Sequence, residues 1–214
     1  MDLAVVVLAG GRSRRMGRDK ALLPVGRERL LERVVRRVAQ VGPVWVVTRG
    51  PDDYPFLRVP RVPDVYPDRG PVGGLLTGFQ AVPARLVAAV ATDMPFASPQ
   101  LLQHLAQYLD AHPEVDVALP EDAHGIQPLH AVYRREPALR AFRAALQTPR
   151  AAIRDALALL RVRRFSADAL RAALGPTCDP ARAFWNVNTP DAYDALLRVV
   201  QGDAPSPLPW EASA

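Results

Sequence analysis

A glycine-rich segment near the amino terminus contains the single lysine of the chain. Of the 27 basic side chains, 26 are arginine and the other is Lys20. The segment covers residues 8–20, and it reads Leu8-Ala9-Gly10-Gly11-Arg12-Ser13-Arg14-Arg15-Met16-Gly17-Arg18-Asp19-Lys20. Glycine lets a phosphate approach the main chain closely, and a lysine ammonium is a compact point charge that arginine does not replace. The segment therefore predicts a phosphate-binding loop that ends on Lys20, with neither Walker A nor G-x-G-x-x-G spacing.

An acidic residue, Asp93, follows another apolar run in the sequence Val90-Ala91-Thr92-Asp93-Met94-Pro95-Phe96. In nucleotide sites Mg²⁺ is held by one or two carboxylates together with substrate phosphates. A carboxylate at the end of a buried strand can face a phosphate-binding loop that leaves a neighbouring strand. Asp93 is therefore a candidate Mg²⁺ ligand, and the alternative is that it only caps the turn before Pro95.

A second acidic residue, Asp64, precedes the glycine-rich start of a predicted helix, Gly70-Pro71-Val72-Gly73-Gly74. Helix amino termini bind anions and polar groups through amides that have no partner within the helix. Asp64 is either a ligand contact in such a site or a turn former, and the sequence leaves both interpretations open.

The two asparagines of the chain, Asn186 and Asn188, lie two residues apart near the other end. In an extended segment this spacing puts both side chains on one face, just before a helix that Thr189 can cap. Carboxamides offer donors and acceptors to a polar substrate. The alternative is that Asn188 and Thr189 only shape the start of the helix.

Short apolar runs alternate with amphipathic windows, which predicts a three-layer α/β fold with a mostly parallel sheet. Strands are predicted at residues 3–8, 44–48, 86–91, 115–119, 129–133, 161–165 and 183–187, with an edge strand near 58–62. Helices are predicted at residues 28–40, 73–82, 99–111, 137–146, 151–160, 167–174 and 191–200. We expect residues 1–201 to form a single domain and residues 202–214 a disordered tail. Ligands of such sheets bind at the carboxyl ends of the strands, where the glycine-rich loop and Asp93 both lie.

Charge and composition indicate what kind of partner the protein binds. The net charge is +5, but the arginines are scattered and no run of five or six like charges occurs, so a nucleotide is a more suitable ligand than a nucleic acid. The apolar runs are far shorter than the roughly 20 residues that span a bilayer, so no membrane contact is expected. The amino terminus lacks signal-peptide features and Cys178 is the single cysteine, which together predict a cytoplasmic location.

Taken together, these segments resemble the nucleotidyltransferase superfamily and, within it, the molybdenum cofactor guanylyltransferases. The resemblance covers residues from about 3 to 200 and implies a Rossmann-like nucleotidyltransferase fold. The glycine-rich loop and Thr92-Asp93-Met94-Pro95 are shared across the superfamily. The ending Asn186-Val187-Asn188-Thr189-Pro190-Asp191 is the more specific mark of the guanylyltransferase branch. The segments Gly70-Pro71-Val72-Gly73-Gly74 and Gln127-Pro128-Leu129 complete the match.

The resemblance implies that the chain transfers GMP from GTP to Mo-molybdopterin with Mg²⁺ as cofactor, and that it contacts molybdenum insertion proteins and apo-molybdoenzymes transiently. The catalytic residues that it implies are Lys20, Asp93 and Arg15. It also implies a nucleotide and metal site in which Asp93 holds Mg²⁺, formed by Leu8, Ala9, Gly10, Gly11, Lys20, Asp64 and Asp93. Contacts with the phosphates or the pterin are implied for Arg15, Gly74, Arg150, Asn186 and Asn188. Thr48 stands where the family often has an asparagine, so a guanine contact from that position is in doubt.

The sequence leaves two alternative functions. A cytidylyltransferase acting on the same pterin is disfavoured by the Asn-x-Asn-Thr-Pro ending. A non-catalytic nucleotide-binding adaptor in molybdoenzyme maturation is disfavoured because both Lys20 and Asp93 are present.

Overall fold

The computed structural model describes residues 1–10, 17–148 and 151–203. The strands are β1 (Leu3–Leu8), β2 (Pro24–Val25), β3 (Glu28–Arg29), β4 (Val44–Thr48), β5 (Arg61–Pro63), β6 (Leu86–Ala91), β7 (Val117–Asp122), β8 (Gly125–Ile126), β9 (His130–Arg134) and β10 (Val162–Ser166). The helices are α1 (Leu30–Val38), α2 (Gly70–Ala81), α3 (Pro99–Ala111), α4 (Arg135–Ala145), α5 (Ile153–Leu157), α6 (Ala167–Leu174), α7 (Pro180–Phe184) and α8 (Pro190–Gln201).

Eight of these strands form the central sheet. Seven lie in the order β10-β7-β9-β6-β1-β4-β5, β8 pairs with β7, and β2 and β3 form a separate two-stranded ribbon. The pairs β1–β4, β1–β6, β4–β5 and β10–β7 are parallel, whereas β9 runs antiparallel to both β6 and β7. The predicted mostly parallel sheet is therefore confirmed, with β9 as the reversed strand.

Helices cover both faces of the sheet, which explains why β1 is apolar along its whole length. Val5 and Val7 point to the layer that contains α1 and α3, while Ala4 and Val6 point to the layer that contains α2 and α4. A smaller cluster joins α8 to the residues after the glycine-rich loop, and its members are Leu23, Val25, Leu30, Phe96, Val187, Tyr193 and Leu196. The three-layer architecture predicted from the alternation of strands and helices is confirmed.

The residue bounds of several predicted elements are confirmed without change, namely strands 3–8, 44–48 and 86–91 and helices 99–111 and 167–174. The predicted cap is also present, since the Thr189 hydroxyl accepts from the Ala192 N–H at 3.2 Å. Ser98 caps α3 in the same way, because its hydroxyl accepts from the Leu101 N–H at 3.2 Å. The helix predicted over 28–40 is shorter than expected. Residues 28–29 instead pair with residues 24–25 around Gly26, whose φ is +65°, and α1 begins at Leu30.

The strand predicted over 183–187 is wrong, because Pro180–Phe184 forms helix α7. Asp179 caps this helix by accepting from the Ala181 N–H at 3.1 Å, and Pro180 stands at its first position, where a missing N–H costs nothing. The chain then runs extended past the sheet edge, and the Val187 N–H donates to the Asp93 carbonyl at 2.9 Å. This segment thus docks on the strand end that carries Asp93 without joining the sheet.

Within the described part of the chain, no helix has both the length and the apolar character needed to cross a bilayer. Helix α8 ends at Gln201, and residues 204–214 lie outside the described residues. The single domain over 1–201 and the tail over 202–214 therefore stay predictions.

Candidate active site

An open cavity of about 970 Å³ lies at the carboxyl ends of β1, β4, β5 and β6. Seven of the residues singled out from the sequence line it: Leu8, Ala9, Gly10, Lys20, Asp64, Gly74 and Asp93. Asn186 and Asn188 are not part of this lining. Gly11, Arg15 and Arg150 lie outside the described residues.

Lys20 lies at the centre of the candidate site. It begins a short 3₁₀ turn, Lys20–Leu22, whose amino end is capped because the Asp19 carboxylate accepts from the Ala21 N–H at 3.0 Å. The Lys20 Nζ lies 3.4 Å from Asp93 Oδ2 and donates a close hydrogen bond to Asn188 Oδ1. Residues far apart in the sequence thus meet around one ammonium group.

Asp93 lies two residues after the end of β6, and its side chain is 23% exposed. Burial raises the pKa of the Asp93 carboxyl, and the positive charge of Lys20 partly offsets that rise. A carboxylate in these surroundings gains from additional positive charge nearby, because the ionised form is poorly solvated. The environment of Asp93 therefore favours binding of a cation beside it.

Two arginines of α1 and one threonine hold the segment around Asp93 in place. The Thr92 hydroxyl donates to the Leu8 carbonyl at 2.7 Å, which ties the end of β6 to the end of β1. Arg33 Nε donates to the Pro95 carbonyl at 3.1 Å, and Arg37 Nε donates to the Ala97 carbonyl at 2.9 Å. The arginine face of α1 thus supports the segment that follows Asp93.

The main chain at the start of the glycine-rich loop is mostly engaged within the protein. The Ala9 N–H donates to the Val47 carbonyl at 2.9 Å, and the Ala9 carbonyl accepts from the Tyr54 hydroxyl at 3.1 Å. The Leu8 carbonyl accepts from both the main-chain N–H and the hydroxyl of Thr92. No described residue accepts from the Gly10 N–H, so this amide is the one most free to meet a ligand. The expected main-chain contacts of Leu8, Ala9 and Gly10 with a nucleotide stay predictions.

Asp64 and the start of α2 form the other end of the cavity. Asp64 Oδ1 accepts from the Thr77 hydroxyl at 2.8 Å and from the Tyr66 N–H at 2.9 Å, so Asp64 forms a turn and also lines the cavity. No side chain caps α2, and its residues Gly70 and Gly74 line the cavity as well. A Cβ at position 74 would lie 3.2 Å from Leu8 Cδ2, so glycine keeps this wall open.

Position 48 contributes to the shape of the site but does not line the cavity. The Thr48 side chain is fully buried, and its hydroxyl donates to the Gly50 carbonyl at 2.7 Å. The next residue, Arg49, lines the cavity instead, with a guanidinium that is half exposed and 3.7 Å from the Asp19 carboxylate. The sequence analysis singled out Thr48, but Arg49 is the residue that lines the cavity.

The side chains of the two asparagines make different contacts. Asn188 contacts Lys20, whereas Asn186 Nδ2 donates to the Phe184 carbonyl at 2.9 Å within its own segment. A direct contact of either carboxamide with a substrate stays a prediction.

Tyr54 was not found from the sequence. It lies in the irregular stretch after β4, where no periodicity marks it as buried. Its side chain is only 5% exposed, and its hydroxyl lies 2.8 Å from Asp19 Oδ2 as well as 3.1 Å from the Ala9 carbonyl. Its contacts therefore join residues near the two ends of the glycine-rich loop.

No three His, Cys, Asp or Glu side chains converge on one point within residues 1–10, 17–148 and 151–203. A metal held by protein ligands alone therefore has no candidate position there. Asp93 alone could still bind Mg²⁺ together with substrate phosphates, which is a usual arrangement in nucleotide sites.

Comparison with solved structures identifies the fold. The structure of molybdopterin-guanine dinucleotide biosynthesis protein A from Archaeoglobus fulgidus aligns with a TM-score of 0.80 over 93% of this chain and 99% of that chain, at 23% identity. The chain therefore has the nucleotidyltransferase fold.

Sequence comparison then identifies the family. Residues 5–164 match the MobA-like NTP transferase domain. A probable molybdenum cofactor guanylyltransferase of Pelotomaculum thermopropionicum is 37% identical over 86% of this chain and 87% of its own length. A relative with the same description from Natronomonas pharaonis is 38% identical over 69% of this chain and 76% of its own length. The chain belongs to the MobA-like NTP transferase family and is a nucleotidyltransferase, as its motifs indicated.

Proposed function

We propose that this protein transfers GMP from GTP to Mo-molybdopterin, releasing pyrophosphate and forming the guanine dinucleotide. The relatives described as molybdenum cofactor guanylyltransferases extend over most of the chain and supply the substrate class. The structural observation that carries the proposal is the contact of Lys20 with both Asp93 and Asn188, because it joins the superfamily motifs to the asparagine pair.

The order of the strands suggests how GTP would lie. Asp93 follows β6 and Asp64 follows β5, which lie three strand spacings apart, or about 14 Å at about 4.8 Å per spacing. Phosphates would lie beside Lys20 and Asp93, and the base would lie near Asp64 and the uncapped start of α2. The apolar side chains of Leu8 and Val47 line the cavity and would contact the nucleoside. Asp64 can accept hydrogen bonds from the amino group of guanine.

The reaction requires alignment and charge neutralisation more than proton transfer. An oxygen of the terminal phosphate of Mo-molybdopterin would attack the α-phosphorus of GTP. As that bond forms, the bond between the α-phosphorus and the bridging oxygen breaks, and the electron pair leaves with pyrophosphate. The attacking oxygen is already anionic, so no general base is needed, while Lys20 would offset charge on the triphosphate.

Mg²⁺ is the proposed cofactor, and Asp93 is its proposed ligand. The partly buried Asp93 carboxyl and the lack of a closed group of ligands in the described residues fit an ion that also binds substrate phosphates. When bound, such an ion would neutralise phosphate charge and favour departure of pyrophosphate. Asn188 would keep Lys20 in line with the triphosphate through their hydrogen bond.

Several assignments rest on the family alone. Contacts of Gly11, Arg15 and Arg150 with phosphates or pterin concern residues outside the described ranges and stay proposals. The same holds for Asn186, for transient contacts with molybdenum insertion proteins and apo-molybdoenzymes, and for a cytoplasmic location.

The test is pyrophosphate release by the purified protein with Mg²⁺, Mo-molybdopterin and either GTP or CTP. We expect release with GTP only, and Asp93→Asn should lower the rate on the order of 100-fold or more because transition-state charge is no longer offset. Asp110→Asn is the matched control, since Asp110 is half exposed on α3 and pairs with Arg85 away from the cavity. Its rate should equal that of the wild type.

Thermal unfolding distinguishes the remaining outcomes. GTP with Mg²⁺ at 100 times its Kd should stabilise the protein by about 2.7 kcal/mol, whereas CTP should leave the Tm unchanged. Equal turnover with CTP would contradict the guanine assignment. Stabilisation by GTP without pyrophosphate release would instead support a nucleotide-binding adaptor.

A further inference from the structure

Tyr54 has a backbone conformation that is unusual for its residue type. Its φ is +57°, in the left-handed region, which bulky side chains rarely adopt. Its ring is nevertheless buried and packs edge to face against Phe56, with centroids 6.0 Å apart. A strained conformation of this kind persists where surrounding contacts impose it, and such residues cluster at functional sites.

The Tyr54 hydroxyl carries one proton and lies within hydrogen-bond distance of two acceptors, one near each end of the glycine-rich loop. Ala9, at 3.1 Å, is the first residue after β1, and Asp19, at 2.8 Å, directly precedes the last residue of the loop, Lys20. Burying a hydroxyl group costs free energy unless the group is hydrogen-bonded. A phenylalanine at this position would fill the same space and would bury no polar group. Burial and the neighbouring Asp19 carboxylate both raise the pKa of Tyr54, so the hydroxyl keeps its proton and remains a donor.

Asp19 connects this hydroxyl to Lys20. One carboxylate oxygen of Asp19 accepts from Tyr54, and the other accepts from the Ala21 N–H, which starts the turn that carries Lys20. A change in the position of Asp19 would therefore move the Lys20 ammonium relative to Asp93.

We propose that Tyr54 is a positioning residue that joins the two ends of the glycine-rich loop and thereby sets the place of Lys20 in the active site. Tyr54 itself does not line the cavity, so it acts through Asp19 and Lys20. The proposal rests on the proposed function in one respect, namely that Lys20 meets the phosphates of the nucleotide.

The experiment is a double-mutant cycle of Tyr54→Phe and Lys20→Ala, read out by calorimetric titration with Mg·GTP and, separately, with Mg·pyrophosphate. Tyr54→Phe alone should raise both Kd values about 3- to 10-fold, as expected when one hydrogen bond that orients a ligand group is lost. In the Lys20→Ala background the same substitution should change Kd less than 2-fold, because the group that Tyr54 positions is gone.

Tyr133→Phe is the matched control. Tyr133 is also buried, and its hydroxyl donates to the Pro128 carbonyl at 2.7 Å, while its ring packs against Phe79 and Phe142 in the layer that contains α2 and α4. It should lower the Tm by an amount similar to Tyr54→Phe and leave both Kd values unchanged. A general loss of stability would therefore lower the Tm of both variants. A loss of positioning would raise the Kd values of Tyr54→Phe alone.

Two results would overturn the proposal: an unchanged Kd in Tyr54→Phe, or an equal rise in both the wild-type and Lys20→Ala backgrounds. Pyrophosphate carries no base, so its cycle does not depend on the identity of the nucleotide. If GTP does not bind but the pyrophosphate cycle shows the expected coupling, the proposed function fails and the role of Tyr54 stands.

Discussion

Lys20 lies in surroundings that suit an ammonium group and not a guanidinium. Its side chain is 16% exposed, and its Nζ meets a carboxylate and a carboxamide oxygen from two segments that are far apart in the sequence. An ammonium presents three donors from one small centre, whereas the planar fork of arginine is wider and directs its donors in a fixed plane. The local geometry therefore gives a physical reason why a chain with 26 arginines has a lysine here.

We predict that Lys20→Arg lowers the rate of pyrophosphate release on the order of 10- to 100-fold although the charge is kept, because small displacements of a positioning group are costly in catalysis. The measurement is steady-state turnover with GTP. Arg36→Lys is the reciprocal control, since Arg36 is an exposed residue of α1 that pairs with Glu28, and its rate should not change. Near-normal turnover by Lys20→Arg would mean that charge alone is needed at this position.

At the scale of elements, the contact between α2 and the sheet determines the shape of the cavity. A Cβ at Gly78 would overlap Val6 Cγ1 and lie 3.0 Å from Val47 Cγ2, so this helix can approach β1 and β4 only with glycine at that position. One turn earlier, a Cβ at Gly74 would lie 3.2 Å from the flexible end of Leu8 and 3.9 Å from Val47 Cγ1, beside the cavity. The two glycines thus have different roles on the same helix.

We predict that Gly78→Ala lowers the free energy of unfolding by about 1–3 kcal/mol through overpacking. Gly74→Ala should be close to neutral in stability, because the better helix propensity of alanine, about 1 kcal/mol, offsets a mild contact. It should instead raise the Kd of GTP, since the methyl group enters the cavity wall. Chemical denaturation and titration calorimetry on both variants measure these effects, and the reverse pattern would show that the cavity does not bind the nucleotide beside α2.

At the scale of the whole molecule, a buried histidine couples the stability of the fold to pH. His130 on β9 is fully buried, and its Nε2 accepts from the Ser98 N–H at 3.0 Å, at the start of α3. Nδ1 has no hydrogen-bond partner among the described residues. Burial lowers the pKa of His130 from 6.5 to about 4.

The unfolded chain binds a proton at His130 below pH 6.5, whereas the folded chain does so only near pH 4. Stability due to His130 is therefore complete above pH 6.5 and falls as the pH drops towards 4, by about 3 kcal/mol in total. We predict that His130→Gln removes this part of the pH dependence. The measurement is the free energy of unfolding at pH 7, 5.5 and 4.5 for both proteins, and parallel curves would contradict the assignment.

The sequence by itself determined the layers, the parallel core of the sheet and the place of the glycine-rich loop and Asp93 at its carboxyl edge. These features follow from local periodicity and from the rule for ligand sites in parallel sheets, and neither needs a distant contact. The sequence did not predict the start of α1, because the short β2–β3 ribbon determines it. It did not predict helix α7, because the Asp179 cap and Pro180 determine that helix. Apolar periodicity indicates neither feature.

Only the tertiary structure decided which side chains touch. Lys20 and Asn188 are 168 residues apart, and the docking of residues 186–188 on the end of β6 brings them together. The same is true of Tyr54, which joins Ala9 to Asp19, and of Arg49, which takes the place in the cavity that Thr48 does not reach. Residue type and local spacing determine which chemistry a side chain can perform, whereas packing between distant segments determines which of those side chains face the same cavity.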